Sequence, residues 1–419
     1  KSSIPAALQH FDCGLIFNNS SRWRRVSSPT KFGEYLAAGI HTVALNGISV
    51  LEEFAESSDC VDLVSEKDLY AGLKKDSIDK IIFNINKPNR GIKYQELAER
   101  EFSLKIAGHL YSELYSEIQT QISQRIHVFP IKRIFYHTMD GISDHLGQSQ
   151  VLPYIFGCSE KHKYYLFSHE KNLNETKEDE QLQQQLLNHS VTWNASQFTY
   201  GKGVRKVLIT CLGILRAYKS IFTFKPDVLH GRGFISSVIL AAYSKIFKIP
   251  FIYDFRSFSV EEWHEIGTYK KNSFYHKFLS RIDRWAIASA SCVIVLTHAA
   301  KHMLLEENDI HNIHVIPTSV QATKQPQKSE INTYGEEIFK FVYSGGVQYP
   351  YKFKELIEFL HILGLIFPVE LTIYNKADVS MIESLLLDLS PSFDYQILNL
   401  PHRELLATLP SYDCAIFLI

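Results

Sequence analysis

Short apolar runs alternate with amphipathic helical patterns along most of the 419 residues, and this alternation is the strongest constraint on the fold. The runs are rich in β-branched and aromatic residues, which favours strands. Near-continuous apolar strands separated by helices indicate parallel sheets covered on both faces, so the pattern predicts the α/β class. The clear strands are Cys13–Asn18, His41–Asn46, Arg133–Thr138, Lys163–His169, Asp227–Arg232, Pro250–Phe255, Cys292–Thr297, Ile313–Thr318, Lys340–Gly346, Glu370–Asn375 and Asp413–Ile419.

The composition is that of a globular protein, with 45% hydrophobic and 21% charged residues. The net charge of −1 excludes a global basic field, so we expect no nucleic-acid partner. Six scattered cysteines without a CxxC motif argue against a zinc site and a disulfide framework, and they indicate a cytoplasmic protein. The longest apolar stretch, Phe234–Phe255, is interrupted by Lys245, Lys248 and Pro250, and it cannot span a bilayer as one helix.

Two seams divide the chain. Val320–Glu337 is polar and unpatterned, as is typical of a linker between domains. Arg125–Arg133 follows a long helical pattern that begins at Lys93, and it leads into a new strand. These two boundaries divide the chain into three predicted domains or parts of domains, residues 1–127, 128–328 and 329–419. A third polar stretch, Glu170–His189, predicts an exposed loop and a solvated helix.

A short internal repeat links the two ends of the sequence. Ile4–Asn18 and Leu405–Ile419 share one pattern, a short helix followed by a strand, with an Asp-Cys pair in register. The repeat suggests a tandem fragment, in which the tail of one enzyme precedes most of the next, and a circular permutant is the alternative. In the permuted reading, the first segment completes the domain that the last segment begins, and the two copies compete for one strand position.

The stretch 27–39 predicts a helix whose entrance holds an anion. Ser28 can cap this helix, and Gly39 can end it. Amide groups at the entrance attract anions, Lys31 adds a positive charge, and the Glu34 carboxylate can accept hydrogen bonds from sugar hydroxyls. In the alternative interpretation, Glu34 only complements the helix dipole and Lys31 is exposed to solvent.

A second candidate site follows a buried strand at Pro250–Phe255. Asp254 and Arg256 fall just beyond its carboxyl end, where open α/β sheets bind ligands, and Glu262 follows closely. An arginine in such a loop suits phosphate or carboxylate. The alternative is a structural ion pair between Asp254 and Arg256.

Two glycine-containing loops are candidate phosphate or sugar cradles, although each could also be a plain turn between strand and helix. Met139–Ile155 fits neither a Rossmann fingerprint nor a P-loop. In the second loop, Gly345 and Gly346 let the backbone approach a diphosphate, and Lys352 could neutralise it.

The stretch Gly203–Lys225 combines an apolar face with several basic residues. It fits a buried helix with snorkelling ends better than a helix that rests on anionic lipid, which is the alternative.

Several motifs occur in a characteristic order: HLGQSQVLPYI, HGRGF, IYDFRSFSVEE, VIVLTHAAKHML, HVIPTSV, FVYSGGV and YDCAIFLI. Together they resemble glycosyltransferase family 4, the retaining, sugar-nucleotide-dependent enzymes with the GT-B fold of two Rossmann-like domains whose parallel sheets face across a cleft. The resemblance implies that 128–328 is the acceptor-side domain and that 329–419 is the first half of a donor-side domain. It implies that 1–127 is the second half of a donor domain with its C-terminal helices.

The resemblance also implies roles for individual residues. Glu34 would hold the ribose of the nucleotide, and the helix entrance would face the pyrophosphate. The implied donor-binding set is Ser28, Lys31, Glu34, Gly47, Gly345, Gly346 and Lys352. The implied acceptor-side loop is Gly147, Gln148 and Ser149 with Arg232, and the implied catalytic set is Asp254, Arg256 and Glu262. The sequence departs from the family pattern at Val26, at His41–Thr42, and at Ser49 and Val50.

The resemblance implies transfer of a sugar from a UDP- or GDP-sugar to a hydroxyl of a glycan or a lipid-linked acceptor. The transfer would retain configuration and need no metal and no cofactor beyond the donor substrate. The enzyme would act in the cytoplasm, with peripheral contact at the inner membrane face as one option. A non-catalytic sugar-nucleotide-binding or scaffold module is the alternative, motivated by Val26, Ser49 and Val50. A GT-B sugar-nucleotide epimerase is a further alternative, although its expected carboxylate and histidine set is not evident.

Overall fold

The structure is a computed structural model. It describes residues 8, 11–17, 24–120, 132–144, 146–197, 217, 219–320, 338–345, 347, 353–375, 379–400, 408 and 412–418. The chain forms two compact units, unit 1 from Lys1–Ser103 and Val320–Ile419, and unit 2 from Leu104–Ser319. The boundaries predicted near 127 and 328 fall outside the described residues.

Unit 1 contains a seven-stranded parallel sheet in the order β13-β12-β11-β14-β1-β2-β3. Its strands are β1 Cys13–Phe17, β2 His41–Leu45, β3 Val61–Val64, β11 Phe339–Ser344, β12 Val369–Tyr374, β13 Asp394–Leu398 and β14 Cys414–Leu418. Its helices are α1 Thr30–Ala38, α2 Ser49–Ser57, α3 Glu66–Ala71, α4 Lys75–Ile85, α5 Arg90–Phe102, α14 Phe353–Gly364 and α15 Val379–Leu389.

Helices cover both faces of this sheet because successive strand residues point to opposite sides. Along β2, Ala44 packs into one core cluster, which contains Phe32 of α1, and its neighbour Leu45 packs into another, which contains Phe353 of α14. This arrangement explains why the strands read as continuous apolar runs.

The two copies of the repeat lie side by side in unit 1. β1 pairs with β14 in parallel, with Gly14 opposite Ala415 and Phe17 opposite Leu418. β14 pairs with β11 on its other side, and β1 pairs with β2. The expectation that the copies compete for one strand position is therefore wrong, since each has a place of its own.

Unit 2 contains a second seven-stranded parallel sheet, in the order β10-β9-β8-β7-β4-β5-β6. Its strands are β4 Lys132–Thr138, β5 His162–Glu170, β6 Thr192–Gln197, β7 Val228–Arg232, β8 Phe251–Asp254, β9 Cys292–Val295 and β10 Ile313–Val315. Its helices are α6 Leu104–Thr120, α7 Leu152–Cys158, α8 Leu173–Glu178, α9 Glu180–Asn188, α10 Gly233–Phe247, α11 Ser259–Glu265, α12 Phe274–Ser289 and α13 His298–Glu307. A π-helical turn, Gly147–Val151, precedes α7.

The predicted α/β class is confirmed, and two Rossmann-like units are the composition of the GT-B fold. Every strand predicted from the sequence is present, with ends that differ by a few residues at most, while β3, β6 and β13 were not predicted. The helical pattern from Lys93 is two helices, because the chain is extended at Ser103 between α5 and α6. Within the part of the chain that the structure describes, no helix is both long and apolar enough to span a membrane.

Candidate functional site

The strand order of unit 2 reverses between β4 and β7, and polar side chains collect at that point. From β4 the chain continues outward to β5 and β6 on one side, and later to β7, β8, β9 and β10 on the other. The carboxyl ends of strands at such a reversal form the ligand crevice of open α/β sheets. Arg232 ends β7, Asp254 ends the neighbouring β8, and Asp140 follows β4 by two residues.

The guanidinium group of Arg232 lies at the centre of this cluster, with its side chain only 4% exposed. Its Nε donates a hydrogen bond to Asp140 Oδ2 at 2.9 Å, and its Nη2 donates one to Gln150 Oε1 at 2.8 Å. Its Nη1 lies 3.7 Å from Asp254 Oδ2 and has no hydrogen-bond partner among the described residues. One buried donor of Arg232 is therefore available to a further acceptor.

Arg256 joins the same cluster from the loop after β8. Its Nη2 donates a hydrogen bond to Gln150 Oε1 at 3.1 Å, and its Nη1 lies 3.5 Å from Asp254 Oδ1. The Gln150 amide oxygen thus accepts a hydrogen bond from each of the two guanidinium groups. The ion-pair alternative for Asp254 and Arg256 describes only part of this arrangement, because the pair also binds Gln150 and faces Arg232.

Asp254 is completely buried and stays ionised. Burial alone would raise the pKa of its carboxyl group, but the Arg256 guanidinium, the nearby His230 imidazole and the charge of Arg232 together lower the pKa to about 2. Its Oδ2 has no partner within hydrogen-bond distance among the described residues, and His230 Nε2 lies 3.6 Å away.

His230 connects the cluster to the core of unit 2. Tyr115 of α6 lies with its Oη 2.8 Å from His230 Nδ1, and the Tyr136 ring packs against the imidazole at a centroid distance of 4.4 Å. Burial lowers the pKa of His230, so the imidazole is neutral. If Tyr115 donates its hydroxyl proton to Nδ1, the remaining N–H is at Nε2 and points toward Asp254.

The loop between β4 and the π-helical turn is fixed by a close backbone approach and by hydrogen bonds to Glu170. A Cβ atom on Gly147 would lie 2.0 Å from Gly141 O, so only glycine fits at this position. Glu170, at the end of β5, accepts hydrogen bonds from Ile142 N at 2.8 Å and from Ser143 Oγ at 3.1 Å. The expectation that Glu170 begins an exposed stretch is wrong for this residue, which is completely buried because β5 continues through it.

The other predicted residues of unit 2 have different surroundings. Gln148 donates from Nε2 to Ile142 O at 2.6 Å and so helps to hold the loop, and Ser149 lies partly buried in the π-helical turn. Glu262 accepts a hydrogen bond from Ser257 Oγ at 2.9 Å. The hydrogen bonds described here bring together Arg232, Asp254 and Arg256, while Glu262 contacts the loop that follows them.

The formal charges of the unit 2 cluster cancel. Arg232 and Arg256 are balanced by Asp140 and Asp254, and His230 is neutral. A diphosphate needs a surplus of positive charge, whereas a neutral set of directed donors and acceptors suits hydroxyl groups. The cluster therefore fits a polyhydroxyl ligand better than the phosphate or carboxylate that Arg256 suggested in the sequence.

In unit 1, the predicted helix entrance is present, but its capping differs from the prediction. α1 begins at Thr30, its N-cap residue is Pro29, and no side chain caps it. The predicted Ser28 cap is thus wrong, because the chain enters the helix one residue later. Ser28 Oγ is buried and has no hydrogen-bond partner among the described residues. Gly39 ends the helix in the left-handed conformation at φ 77°, as predicted.

Lys31 and Glu34 pair with each other on α1. Lys31 Nζ lies 2.8 Å from Glu34 Oε2, and their side chains are 26% and 9% exposed. The sequence predicted a phosphate as the partner of Lys31 and a ribose as the partner of Glu34. In the structure the charge of Lys31 is balanced by Glu34.

The remaining donor-side residues follow strand ends of unit 1. Gly47 comes after β2 at φ 107°, and its N–H donates to Glu52 Oε1 at 2.9 Å. Gly345 follows β11, and its carbonyl accepts a hydrogen bond from Asn375 Nδ2 at 2.9 Å. Gly346 and Lys352 lie outside the described residues, as does most of Gly203–Lys225.

Several residues of the unit 2 cluster have no role predicted from the sequence. Asp140, Gln150 and His230 lie inside motifs that were recognised, but no role was assigned to them. Because each stands at or near the carboxyl end of a strand or in the loop beyond it, the strand-end rule that found Asp254 could have found them too. Tyr115 had no such signal, since its link to His230 depends on how α6 packs.

Within the described residues, no group of three or more His, Cys, Asp or Glu side chains could hold a metal ion. Comparison with protein families gives a match that begins inside unit 2 and extends five residues beyond it. Residues 160–324 match Glycosyltransferase Family 4. The resemblance drawn from the motifs is confirmed over this segment, which is less than half of the chain and contains Arg232, Asp254, Arg256 and Glu262.

The chain is also similar to solved structures. Sucrose-phosphate synthase from Thermosynechococcus elongatus has a TM-score of 0.46 at 12% identity, over 68% of this chain and 74% of that one. A putative UDP-N-acetylglucosamine 2-epimerase from Listeria monocytogenes has a TM-score of 0.44 at 10% identity, over 69% and 74%. HepE from Anabaena, solved with UDP and glucose, has a TM-score of 0.39 at 12% identity, over 68% and 73%. No curated protein matches the sequence significantly.

Proposed function

We propose that this protein is a retaining, metal-independent glycosyltransferase that passes a sugar from a UDP- or GDP-sugar to a hydroxyl of a glycan or a lipid-linked acceptor. The observation that carries the proposal is the arrangement of Arg232, Arg256 and Gln150 at the strand reversal of unit 2. The two arginines belong to the segment that matches Glycosyltransferase Family 4.

Unit 2 would bind the acceptor in this proposal. Arg232 Nη1 and Asp254 Oδ2 are a buried donor and a buried acceptor without partners among the described residues, and they lie 3.7 Å apart. A sugar hydroxyl both donates and accepts hydrogen bonds, so one hydroxyl group can satisfy both atoms. The balanced charge of the cluster supports a neutral ligand.

Unit 1 would bind the donor. The amide groups in the first turn of α1 and the positive end of its dipole favour the diphosphate, and the buried Ser28 Oγ adds a hydrogen-bonding group there. In the transition state the diphosphate leaves with increasing negative charge, which preorganised dipoles stabilise. Lys31 would contribute its charge by exchanging Glu34 for the phosphate, and the freed Glu34 carboxylate would accept hydrogen bonds from the ribose.

The test is release of nucleoside diphosphate from a panel of UDP- and GDP-sugars, with glycans and polyprenyl-linked sugars as acceptors. We expect turnover that depends on one donor and one acceptor. Arg256→Ala removes a charged hydrogen-bond donor, worth about 1.5–3 kcal/mol, and should raise the acceptor KM about tenfold or more without changing the donor KM. Arg133→Ala is the matched control, since Arg133 is 44% exposed and pairs with Asp227.

Three results would overturn the proposal. Binding of a sugar nucleotide without turnover in any acceptor mixture would favour a non-catalytic binding module. Interconversion of sugar nucleotides without release of diphosphate would favour an epimerase. A donor KM that rises in Arg256→Ala while the acceptor KM is unchanged would place the donor in unit 2.

A further inference from the structure

Helix α12 of unit 2 exposes a line of aromatic side chains. Phe274 is 87% exposed, Phe278 is 48% exposed and Trp285 is 41% exposed. The spacing of four and seven residues places all three on one stripe of the helix. At a rise of about 1.5 Å per residue, the stripe is about 16 Å long.

The stripe lies on the far side of α12 from the face by which this helix packs on unit 2. His276, Leu279, Ala286 and Ile287 are the buried residues of this helix. On a helical wheel of 100° per residue they centre about 150° from the aromatic stripe. The aromatic rings therefore point away from the core of unit 2. Phe274 and Phe278 are nearly parallel, with ring planes 10° apart and centroids 6.4 Å apart.

Positive charges surround the stripe. Arg281 lies on it, Lys277 and Arg284 flank it, and Lys270 and Lys271 occupy the turn before the helix. All five are exposed. Between Ile266 and Trp285 the sole acidic residue is Asp283, which is not exposed and accepts a hydrogen bond from Tyr253 Oη at 2.8 Å. We call these exposed residues, Lys270, Lys271, Phe274, Lys277, Phe278, Arg281, Arg284 and Trp285, the aromatic–basic face.

We propose that the aromatic–basic face docks unit 2 on an anionic lipid surface, with Phe274, Phe278 and Trp285 in the headgroup region and the basic side chains on the lipid phosphates. Large exposed aromatic groups on a chain with a net charge of −1 need a reason, and so does a local excess of five cations. Aromatic rings flanked by lysine and arginine are the pattern of helices that lie in a membrane interface. This inference does not rest on the proposed transferase activity.

The charge of the aromatic–basic face favours a lipid surface over a second copy of the chain as its partner. In a two-fold symmetric dimer the same face meets itself, which would bring like charges together. The shape of the face disfavours single-stranded nucleic acid as the partner. Proteins bind single strands in basic grooves where bases stack on aromatic rings. The aromatic–basic face is instead the outer side of a helix.

The experiment is co-sedimentation of the full chain with vesicles of phosphatidylcholine alone, or of phosphatidylcholine and phosphatidylglycerol at about 7:3. We expect binding to the anionic vesicles only, and weaker binding when the salt concentration is raised. Phe274→Ser with Phe278→Ser, and separately Lys277→Glu with Arg281→Glu, should each lower the partition coefficient about tenfold or more.

Matched controls change similar residues elsewhere in unit 2. Phe222→Ser replaces a phenylalanine that is 65% exposed and lies in Gly203–Lys225, the other candidate lipid segment. Lys161→Glu with Lys163→Glu makes the same change of net charge on exposed lysines near and on β5. Both controls should bind like the unchanged chain, and thermal melting confirms that every variant is folded.

Several outcomes would overturn the inference. One is that the unchanged chain fails to bind anionic vesicles at low salt. Another is that Lys161→Glu with Lys163→Glu weakens binding as much as Lys277→Glu with Arg281→Glu, which would show that binding depends only on the net charge of the chain. Loss of binding in Phe222→Ser alone would assign the contact to Gly203–Lys225. A dimer in light scattering that the phenylalanine variants dissociate, or loss of oligouridylate binding with unchanged lipid binding, would identify a different partner.

Discussion

Replacing Asp254 by asparagine should destabilise unit 2 much more than the same change at an exposed aspartate. The carboxylate is completely buried, and its pKa is lowered from 3.8 to about 2. A shift of this size corresponds to about 2 kcal/mol of stability at neutral pH. Asparagine also leaves the buried guanidinium of Arg232 and the partly buried one of Arg256 with half of their compensating charge, and unpaired buried charges cost about 3–5 kcal/mol. The two figures describe the same lost charge interactions and do not add, so we expect a loss of about 2–5 kcal/mol.

The sign of the pH dependence follows from the direction of the shift. A carboxyl group with a lowered pKa stabilises the folded state fully above its unfolded pKa of 3.8, and the contribution is lost as the pH falls toward 2. The difference between the unchanged chain and Asp254→Asn should thus be the same at pH 7.5 and at pH 5.5.

The assay is urea unfolding followed by circular dichroism, with Asp309→Asn as the control. Asp309 is also in unit 2, its side chain is 98% exposed, and it pairs with His311 at 3.6 Å. An exposed pair of this kind contributes less than about 0.5 kcal/mol. Equal effects of the two substitutions would refute the reasoning, as would a difference for Asp254→Asn that changes between pH 7.5 and pH 5.5.

Two further predictions concern unit 2. Gly147→Ala should lower the melting temperature, because the new Cβ atom would lie 2.0 Å from Gly141 O. In the control Gly157→Ala, the new Cβ atom has no neighbour nearer than 3.9 Å, so the melting temperature should stay the same or rise. Equal melting temperatures of the two variants in scanning fluorimetry would contradict this prediction. Burial raises the pKa of Asp283 from 3.8 to about 6 despite the hydrogen bond from Tyr253, so the fold loses stability as the pH rises from 3.8 to about 6. Asp283→Asn should then raise the melting temperature at pH 7.5 and lose most of this gain by pH 4, and an equal gain at both pH values would contradict the assignment.

The strands that the sequence predicts are those with continuous apolar runs, and the strands it misses have a physical reason to look different. β6, Thr192–Gln197, and β13, Asp394–Leu398, lie at sheet edges, where one side of the strand is exposed and polar residues are common. β3, Val61–Val64, is also an edge strand, and it contains the buried Asp62. That carboxylate is acceptable in the interior because it accepts hydrogen bonds from Asn84 Nδ2 at 2.8 Å and pairs with His41.

The candidate site in unit 2 could be predicted only in part, because its members come from strands whose order the sequence does not reveal. The strand-end rule predicted Asp254 and Arg256, which lie at the end of β8 and just beyond it, while Arg232 was predicted only through the family resemblance. That Gln150 accepts hydrogen bonds from both arginines depends on β4 lying beside β7. Glu170 was misplaced because it stands before a polar stretch, and its burial depends on the length of β5.

The repeated strand explains why the proposed ligand contacts lie closer together in unit 2 than in unit 1. In unit 2, Arg232 ends β7 and Asp254 ends the neighbouring β8, so one strand spacing of about 4.8 Å separates them. In unit 1, β14 lies between β11, which leads to Gly345, and β1, which leads to α1. With a single copy of the repeat these strands would be neighbours, and the second copy doubles their separation to about 10 Å. A donor that contacts both Gly345 and α1 must therefore extend along the sheet edge, whereas one acceptor hydroxyl can meet Arg232 and Asp254 together. We consequently expect different kinetic effects of the two substitutions. A substitution of Arg256 should change the acceptor KM strongly, and a substitution of Ser28 should change the donor KM weakly.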